Sequence, residues 1–566
     1  MSFSFKHSIG QILAAWTSLS VLAAAHAQTP PTPGDIARQI EPARPSVLPE
    51  LQLQTPRLQQ PSTPTSGAQV VRVQQWRLSG RTLIDDTALK ERLKPFTNVD
   101  VSVQQIREAA AVVQQAYEEA GWLARVDVPQ QDISEGSVTL QVIESRLDQV
   151  SFDAAATSLV ERERVKSVVQ AHQGQGQAIY MPDLNRGLLL ADDLNGVSVV
   201  GSLQPGAQPG TTDLVLSSTA EQAHSFNISL DNTNARAVGA TKLTAVAGWV
   251  SPAGWGESYD VQAFKSQGSE YMRVSAGLPV PGVWGLRGLK ATASMSHMGY
   301  KIITPDDAGA KQDISGRSQT TGLDLSYPLV RSRQANLYLT LGAEERQYRG
   351  QANGKANSHY GVQGAQLGIS GNAFDNIGGG AASTFGLTVR HGRVGASELL
   401  GVDNKLVQGS YKKFNWSLSR QQALSGPMSL YVAIQGQQTG TKVLDSSENM
   451  SLGGANAVRA YPAGEASGPQ GRVTTLELRW RVNEQWLITP FYDQGHIEKR
   501  TTDTNTAYSL QGAGLAATWT APAGWTARTT YARRIGRNAN ANLETGKDND
   551  GSLHKDRVWL NLSLSF

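Results

Sequence analysis

The feature that most restricts what this chain can fold into is a change of period near residue 220. Beyond it the helical spacing disappears. Apolar residues instead alternate with polar ones in sixteen stretches, beginning near 224, 241, 258, 269, 288, 317, 335, 360, 383, 410, 427, 472, 486, 508, 525 and 556. Phe226, Ile228 and Leu230 alternate with Asn227 and Ser229, and Val558, Leu560, Leu562 and Leu564 lead to the terminal Phe566. Region 220–566 holds 566 − 219 = 347 residues, or about 22 for each strand with its loop, which suits membrane strands of about 10 residues. No apolar run beyond the first thirty residues approaches the roughly 18 that a spanning helix needs. A helical membrane protein is excluded; a β-barrel is not, because its strands escape hydropathy.

A soluble sandwich also alternates, so further features must decide. The strand count is even, and the face opposite the apolar one carries Gly, Ser, Thr, Gln and Asn, as a wet lumen requires. Trp249, Trp255, Trp284, Trp480, Trp486, Trp519 and Trp525 cluster near strand ends, where interface girdles belong. Closure also removes the edges that open strands would expose to aggregation. The final strand ends on Phe566, similar to the signal by which outer-membrane barrels are recognised for assembly. A sixteen-strand barrel encloses water rather than a packed core, so something must obstruct it.

The N-terminal part is different. Residues 1–27 combine Lys6, an apolar centre from Ile12 to Ala25 and the ending Ala25-His26-Ala27, which reads as a secretory signal peptide. Residues 28–70 hold nine of the 24 prolines and read as an extended linker. Within it, residues 35–41 can form one short helix with Asp35 as its N-cap and Ile36 and Ile40 on one face. Alone it is too short to be stable, so it needs a place to dock. From 71 to 145 the order is β-α-α-β-β: a strand at 71–78, helices at 85–94 and 103–120, strands at 123–128 and 138–144. Ile106, Ala109, Ala110, Val113 and Tyr117 mark the buried face of the second helix, and Gly121 its C-cap. The same order recurs over 146–219, with a strand at 147–152, helices at 159–171 and 181–192, and strands at 197–203 and 213–217. One supersecondary order repeated in sequence is a repeat. The fold class is mixed: two small α+β domains followed by a sixteen-stranded antiparallel transmembrane barrel.

Enzyme chemistry finds little support. The chain has no Cys, nine scattered His without zinc spacing, no nucleophile elbow and no phosphate loop. Gly512-Ala-Gly514-Leu-Ala-Ala517 fits a loose dinucleotide fingerprint but lies in an alternating stretch, so it reads as small residues on a strand. Catalytic residues, metal and cofactors are expected to be none. The net charge of +3 speaks against nucleic acid as a partner. The informative pair lies elsewhere. The Gly-rich loop 447–472 carries Val458, Arg459, Ala460 and Tyr461 near its middle, and the later strand carries Phe491, Asp493 and Gly495. A loop folded into the lumen would let the Arg459 fork bind the Asp493 carboxylate through two hydrogen bonds.

These residues carry a family resemblance. Ala124-Arg-Val-Asp-Val-Pro-Gln-Gln-Asp-Ile-Ser-Glu-Gly136 resembles a first-repeat signature, and Tyr327-Pro-Leu-Val-Arg-Ser-Arg333 with Asn336-Leu337 a mid-barrel one. Val458–Tyr461 is similar to a V-R-G-[YF] loop tip and Phe491–Gly495 to an F-x-D-x-G strand motif. Together they resemble the TpsB family, the two-partner secretion translocators of haemolysin and filamentous-haemagglutinin type. Ala460 departs from the usual Gly, and would be strained if that position required positive φ.

The resemblance implies that the repeats are periplasmic polypeptide-transport-associated (POTRA) domains, that the helix near 35–41 plugs the barrel, and that the barrel sits in outer-membrane lipid. It further implies a secreted TpsA-type exoprotein as partner and the barrel assembly machinery as a partner during biogenesis. β-Augmentation at a POTRA edge is the expected mode of capture, with cargo folding outside giving direction in the absence of ATP. The alternatives are a barrel-assembly factor, whose main bacterial member carries more periplasmic repeats, and a diffusion porin, which needs none. A TonB-dependent receptor would need a larger barrel and a globular plug.

Overall fold

The computed structural model describes residues 33–40, 70–133, 135–280, 282, 286–305, 309–398, 407–441, 443–500 and 505–566. The expected signal peptide, most of the linker and Trp284 lie outside them.

Two β-α-α-β-β domains come first. In the first, strand Ser137–Glu144 lies between Gln75–Ser79, to which it is parallel, and Ala124–Asp127, to which it is antiparallel. Helix Asp86–Leu93 starts at Asp85, whose carboxylate accepts from the Thr87 N–H at 3.0 Å. Helix Val103–Glu119 starts on a reciprocal Ser102/Gln105 capping box and ends at Gly121, at φ +84°. Its face of Ile106, Ala109, Val113 and Tyr117 packs on Val138 and Leu140, each such burial contributing about 1.5–3 kcal/mol. The single strand expected at 71–78 is in fact two. It breaks at Gln74, where the Gln74 and Gln75 N–H groups both donate to the Gly136 carbonyl. The outer piece, Val70–Val73, pairs with a short strand absent from the sequence reading, Val99–Ser102.

The second domain places strand Thr211–Ala220 between Arg146–Phe152 and Val197–Pro205. Helices Arg162–Gln170 and Met181–Asp192 cover it through Val165, Val169, Leu184 and Ala191. The first of these helices begins three residues later than expected at 159; the segment before it is instead tied outward, Leu159 N–H to the Gly196 carbonyl and Glu161 N–H to the Gly254 carbonyl.

From His224 the chain forms a closed barrel of sixteen strands, each antiparallel to its neighbours. Observed starts at 258, 269, 335, 486, 525 and 556 coincide with the alternation boundaries, and those at 314 and 355 extend them outward. Leu230, Leu323, Leu341, Leu367 and Leu560 are exposed on the outer face, as a lipid-facing surface requires. Trp255, Trp480, Trp486 and Trp525 are exposed near strand ends. Closure joins the first strand, His224–Asp231, to the last, Asp556–Ser565, over five register pairs. Phe566 extends this seam: its backbone exchanges bonds of 2.8 and 3.0 Å with Phe226, and the two rings stack 5.8 Å apart.

The second domain is bonded directly to the barrel's periplasmic turns. Arg331 grips Asp193 with two bonds, 2.9 and 2.8 Å, and Lys290 Nζ donates to the Asp193 carbonyl at 2.6 Å. Arg186 reaches the Pro328 carbonyl at 2.6 Å, and Asn195 the Gly256 carbonyl at 3.0 Å.

Candidate functional site

Between strands Met428–Thr439 and Gln470–Arg481 the chain turns into the lumen instead of outward. A two-residue ladder, Met450–Ser451 against Ser467–Gly468, closes the base of the loop. The tip reverses through bonds from Val458 N–H to Leu452 O (2.8 Å) and Tyr461 N–H to Val458 O (3.1 Å). Gly454 makes this return possible at φ +122°, a region L side chains avoid.

At the tip Arg459 meets Asp493 in a two-point pair. Nε lies 2.8 Å from Oδ2 and Nη2 2.8 Å from Oδ1, and the Arg459 backbone N–H adds a third bond at 3.1 Å. The remaining nitrogen, Nη1, lies 2.8 Å from Glu477 Oε1, and Glu477 is held in turn by Arg479 at 2.9 Å. The guanidinium also covers the Phe491 ring, 3.4 Å from its centroid, and the Trp559 indole N–H donates to the Arg459 carbonyl at 2.8 Å. Asp493 is fully buried, and Arg459 and Glu477 nearly so. Two cations matched by two carboxylates satisfy the requirement that buried charges be paired.

Small residues form the socket for this tip. A Cβ on Gly495 would lie 2.9 Å from Val458 Cγ2, and one on Gly512 only 2.4 Å from the Ala460 methyl. A Cβ on Gly514 would strike Phe491 Cζ at 2.6 Å. The glycines at 512 and 514, unremarkable as a motif, are the recess the tip occupies. Ala460 is not among the positive-φ residues, so its backbone is unstrained, and its methyl fits because position 512 lacks one. Val458, Ala460 and Tyr461 are fully buried, and Arg534 stacks on Tyr461 at 4.5 Å.

The near arm of the same loop carries a second ionic cluster. Glu448, 2% exposed, lies 2.8 Å from Lys413, 3.3 Å from Arg390 and 3.6 Å from Arg346. Glu344 bridges the two arginines from the wall at 2.5 and 2.9 Å. Against this arm sits helix Pro33–Ile40. Arg38 Nε donates to the Ser446 carbonyl at 2.9 Å, and Ile36 and Ala37 are buried against lumen residues including Tyr300 and Tyr348. A Cβ on Gly34 would come within 2.8 Å of Ser446 Oγ, so the glycine permits the close approach. The helix begins at Pro33, two residues before the expected start, because the fixed φ of proline suits a first turn. Asp35 therefore lies inside the first turn rather than capping it, 3.4 Å from Arg38. Nothing is described of the Ile40 side chain.

The structure thus brings Val458, Arg459, Tyr461, Phe491, Asp493 and Gly495 together and places Ile36 in the lumen, while Phe566 lies apart at the seam. Sequence reasoning missed Glu477, Trp559 and the whole Glu448 cluster. Glu477 had a readable signal, since it alternates with Leu476 and Leu478 and so faces the lumen. Asp193 had none, and Arg331 stood in a quoted motif without a role. Among the described residues no group of His, Asp or Glu side chains could hold a metal.

Comparison with known proteins agrees with this architecture. The family profile "Haemolysin secretion/activation protein ShlB/FhaC/HecB" matches residues 210–519, and "POTRA domain, ShlB-type" matches residues 71–145. The outer membrane transporter CdiB of Dickeya dadantii is 23% identical over 77% of each chain. The heme/hemopexin transporter protein HuxB of Haemophilus influenzae is 22% identical over 71% of each. The solved structure of CdiB from Escherichia coli superposes with a TM-score of 0.70 at 18% identity, covering 94% of this chain and 96% of that one. That of BamA from Haemophilus ducreyi lacking POTRA domains 1–3 gives 0.50 at 14% identity, covering 88% and 100%. With more than half its length matched, the chain belongs to the haemolysin secretion/activation family of TpsB-type transporters, its barrel in the outer membrane and its POTRA domains in the periplasm.

Proposed function

We propose that this transporter exports one large, unfolded, β-rich exoprotein from the periplasm to the cell surface. The observation that carries the reading is that two separate devices fill the lumen. One is a loop fixed to the wall by buried ion pairs at Arg459 and Glu448. The other is an eight-residue helix, held by apolar packing of Ile36 and Ala37 and a hydrogen bond from Arg38. A helix attached this way can leave without dismantling the barrel, and so serves as a plug. A diffusion porin has no use for such a part.

Capture is assigned to the edge strand Val197–Pro205. Its nine residues, Val-Ser-Val-Val-Gly-Ser-Leu-Gln-Pro, carry no charge, and Val200 is 62% exposed. The other outer strands of the two three-stranded POTRA sheets are defended: Gln75–Ser79 by Arg77, Ala124–Asp127 by Arg125 and Asp127, and Arg146–Phe152 by charge and a register break. An extended cargo segment added to this strand beyond Val199, whose own N–H donates to Asp192 at 2.8 Å, would gain main-chain hydrogen bonds whatever its sequence. The strand starts beside Asn195, which is bonded to a barrel turn, so it leads from the barrel mouth. In the arrangement proposed here, Arg459 and Asp493 hold the loop in its inward position while cargo passes, and Phe566 marks the last strand for assembly.

Comparing culture-medium and outer-membrane proteomes with and without the gene tests the reading. Loss of one large secreted protein with an unchanged outer membrane supports it. Broad depletion of outer-membrane barrels would make the chain an assembly factor and overturn it.

A further inference from the structure

The lumen wall beside helix Pro33–Ile40 bears a row of five large side chains, interrupted once by a serine, whose length the helix does not explain. Phe264 stands opposite Tyr271, Tyr271 opposite Met298, Met298 opposite Ser318, Ser318 opposite Tyr348, and Tyr348 opposite Tyr360. These five successive register pairs put six residues on one line across six adjacent strands. All six are buried. The Phe264 and Tyr271 rings stack with centroids 5.3 Å apart, and Tyr348 and Tyr360 lie at 5.2 Å.

The row is bounded on its periplasmic side. Moving along the same strands toward the periplasm, the residues with the same alternation phase are Arg273, Ser275 and Gly277 after Tyr271, and Ser296, Ser294 and Thr292 before Met298. Apart from Arg273 these are the small residues a water-filled lumen calls for, and the large buried side chains begin at the row and continue past it toward the outer surface in Tyr300. Its extent is the second point. Five strand spacings of about 4.8 Å make an arc of about 24 Å. The helix is about 12 Å long and about 10 Å across. Holding Ile36 and Ala37 takes about half of such a band.

We propose that this row is the contact track for the polypeptide in transit: once the helix withdraws, apolar side chains of an extended cargo segment pack against Phe264, Tyr271, Met298, Tyr348 and Tyr360. The proposal rests on the translocator reading above. Ring faces and a thioether bind aliphatic side chains without directional bonds. The track is therefore indifferent to sequence, and a chain rich in alternating apolar residues slides along it rather than docking at one register. The same helix-shaped space between the row and the loop arm admits an extended strand, and the rings close around it against ions.

Planar-bilayer recordings on the full chain lacking residues 33–40 test this, with two soluble peptides of equal length and terminal lysines as probes. One alternates Val and Thr, the other Gly and Ser. The Val/Thr peptide is expected to block the current with dwell times at least about tenfold longer than the Gly/Ser peptide. The paired change Tyr271→Ser with Tyr348→Ser is expected to erase that difference, and Tyr271→Phe with Tyr348→Phe to keep it, which controls for folding. Equal dwell times for the two peptides in the unsubstituted channel would overturn the track. So would a difference that survives the serine changes, leaving the row a seat for the helix alone. Either result leaves the proteome comparison untouched, so a failed track and a failed translocator are told apart.

Discussion

At Asp493 a carboxylate has been taken entirely out of water, and four hydrogen bonds reach it from the loop tip and its own wall. Two come from the Arg459 fork and one from the Arg459 N–H, Thr475 Oγ adds another at 3.1 Å, and the guanidinium is itself steadied by Glu477. Removing one partner of such a buried pair costs about 3–5 kcal/mol, because the other charge is left uncompensated. Arg459→Ala and Asp493→Ala are therefore expected to free the loop tip and lower export while the barrel still assembles. Protease cleavage within 451–471 and secreted protein per cell measure the two effects; wild-type export from both variants would sink the assigned role. Glu144 shows the same chemistry in the periplasm. Burial alone would raise its pKa, but donors at Thr82 N–H (2.6 Å), Leu83 N–H (2.8 Å), the Thr82 hydroxyl and the Tyr117 hydroxyl (2.9 Å) hold it below the ordinary carboxylate value. A depressed folded pKa adds stability above the unfolded value, near 4.3, and that stability is lost as pH falls through the folded value. Glu144→Ala is expected to destabilise the first POTRA domain by about 1–3 kcal/mol at neutral pH, and the deficit should shrink in acid. The urea midpoint for proteolytic protection of residues 70–144 in the full chain reads this; a pH-independent deficit would refute it. Arg459 and Asp493 were legible because each sits in a short distinctive motif. Trp559 and Glu448 were not, since their partners lie far away in sequence, whereas Glu477 carried the alternation signal noted above and was passed over.

Elements were legible in proportion to how many periods they contain. The barrel strands stand out, although the longest, Lys355–Asp375, begins five residues before its expected start, and the helix Val103–Glu119 is marked by its repeated apolar face. Val99–Ser102 has four residues, too few to show a period, and was missed. The helix Pro33–Ile40 was visible only as a cap followed by a short apolar face, and what stabilises it is not in its own sequence at all. An isolated helix this short is unstable in water, so it persists through the wall and loop arm it touches. Deleting residues 33–40 is expected to raise single-channel conductance severalfold without affecting barrel assembly. Gly34→Val should act in the same direction more weakly, since the new side chain would press on Ser446 and Ser447. Unchanged conductance in planar bilayers for the deletion would show that the helix obstructs nothing.

For the whole molecule, the question is how a periplasmic edge strand is kept aimed at a barrel mouth. The linkage is concentrated at Asp193, the residue that ends helix Met181–Asp192. Its carboxylate takes two bonds from Arg331, and its carbonyl takes one from Lys290. Arg331 is also held by Asn336, which bonds Asn372 on the next strand at 2.8 Å, so the grip is anchored in the barrel wall rather than in a loose turn. This explains what Arg331 and Asn336 do in a stretch that was recognisable only as a motif. A bidentate, largely buried pair of this kind typically costs 2–5 kcal/mol or more, roughly, when one partner is truncated. Asp193→Ala should therefore loosen the second POTRA domain and reduce export, leaving barrel and both POTRA domains folded. The absence of any Cys makes the check direct, since two introduced cysteines are the only labelling sites. Spin labels at Glu163 on the domain and Ser425 on a periplasmic turn, both exposed, should give a narrow distance distribution in the parent and a broad one in the variant. A distribution that stays narrow while export falls would mean Asp193 acts other than by aiming the domain. One that broadens while export holds would mean that a fixed edge strand is not required for transport.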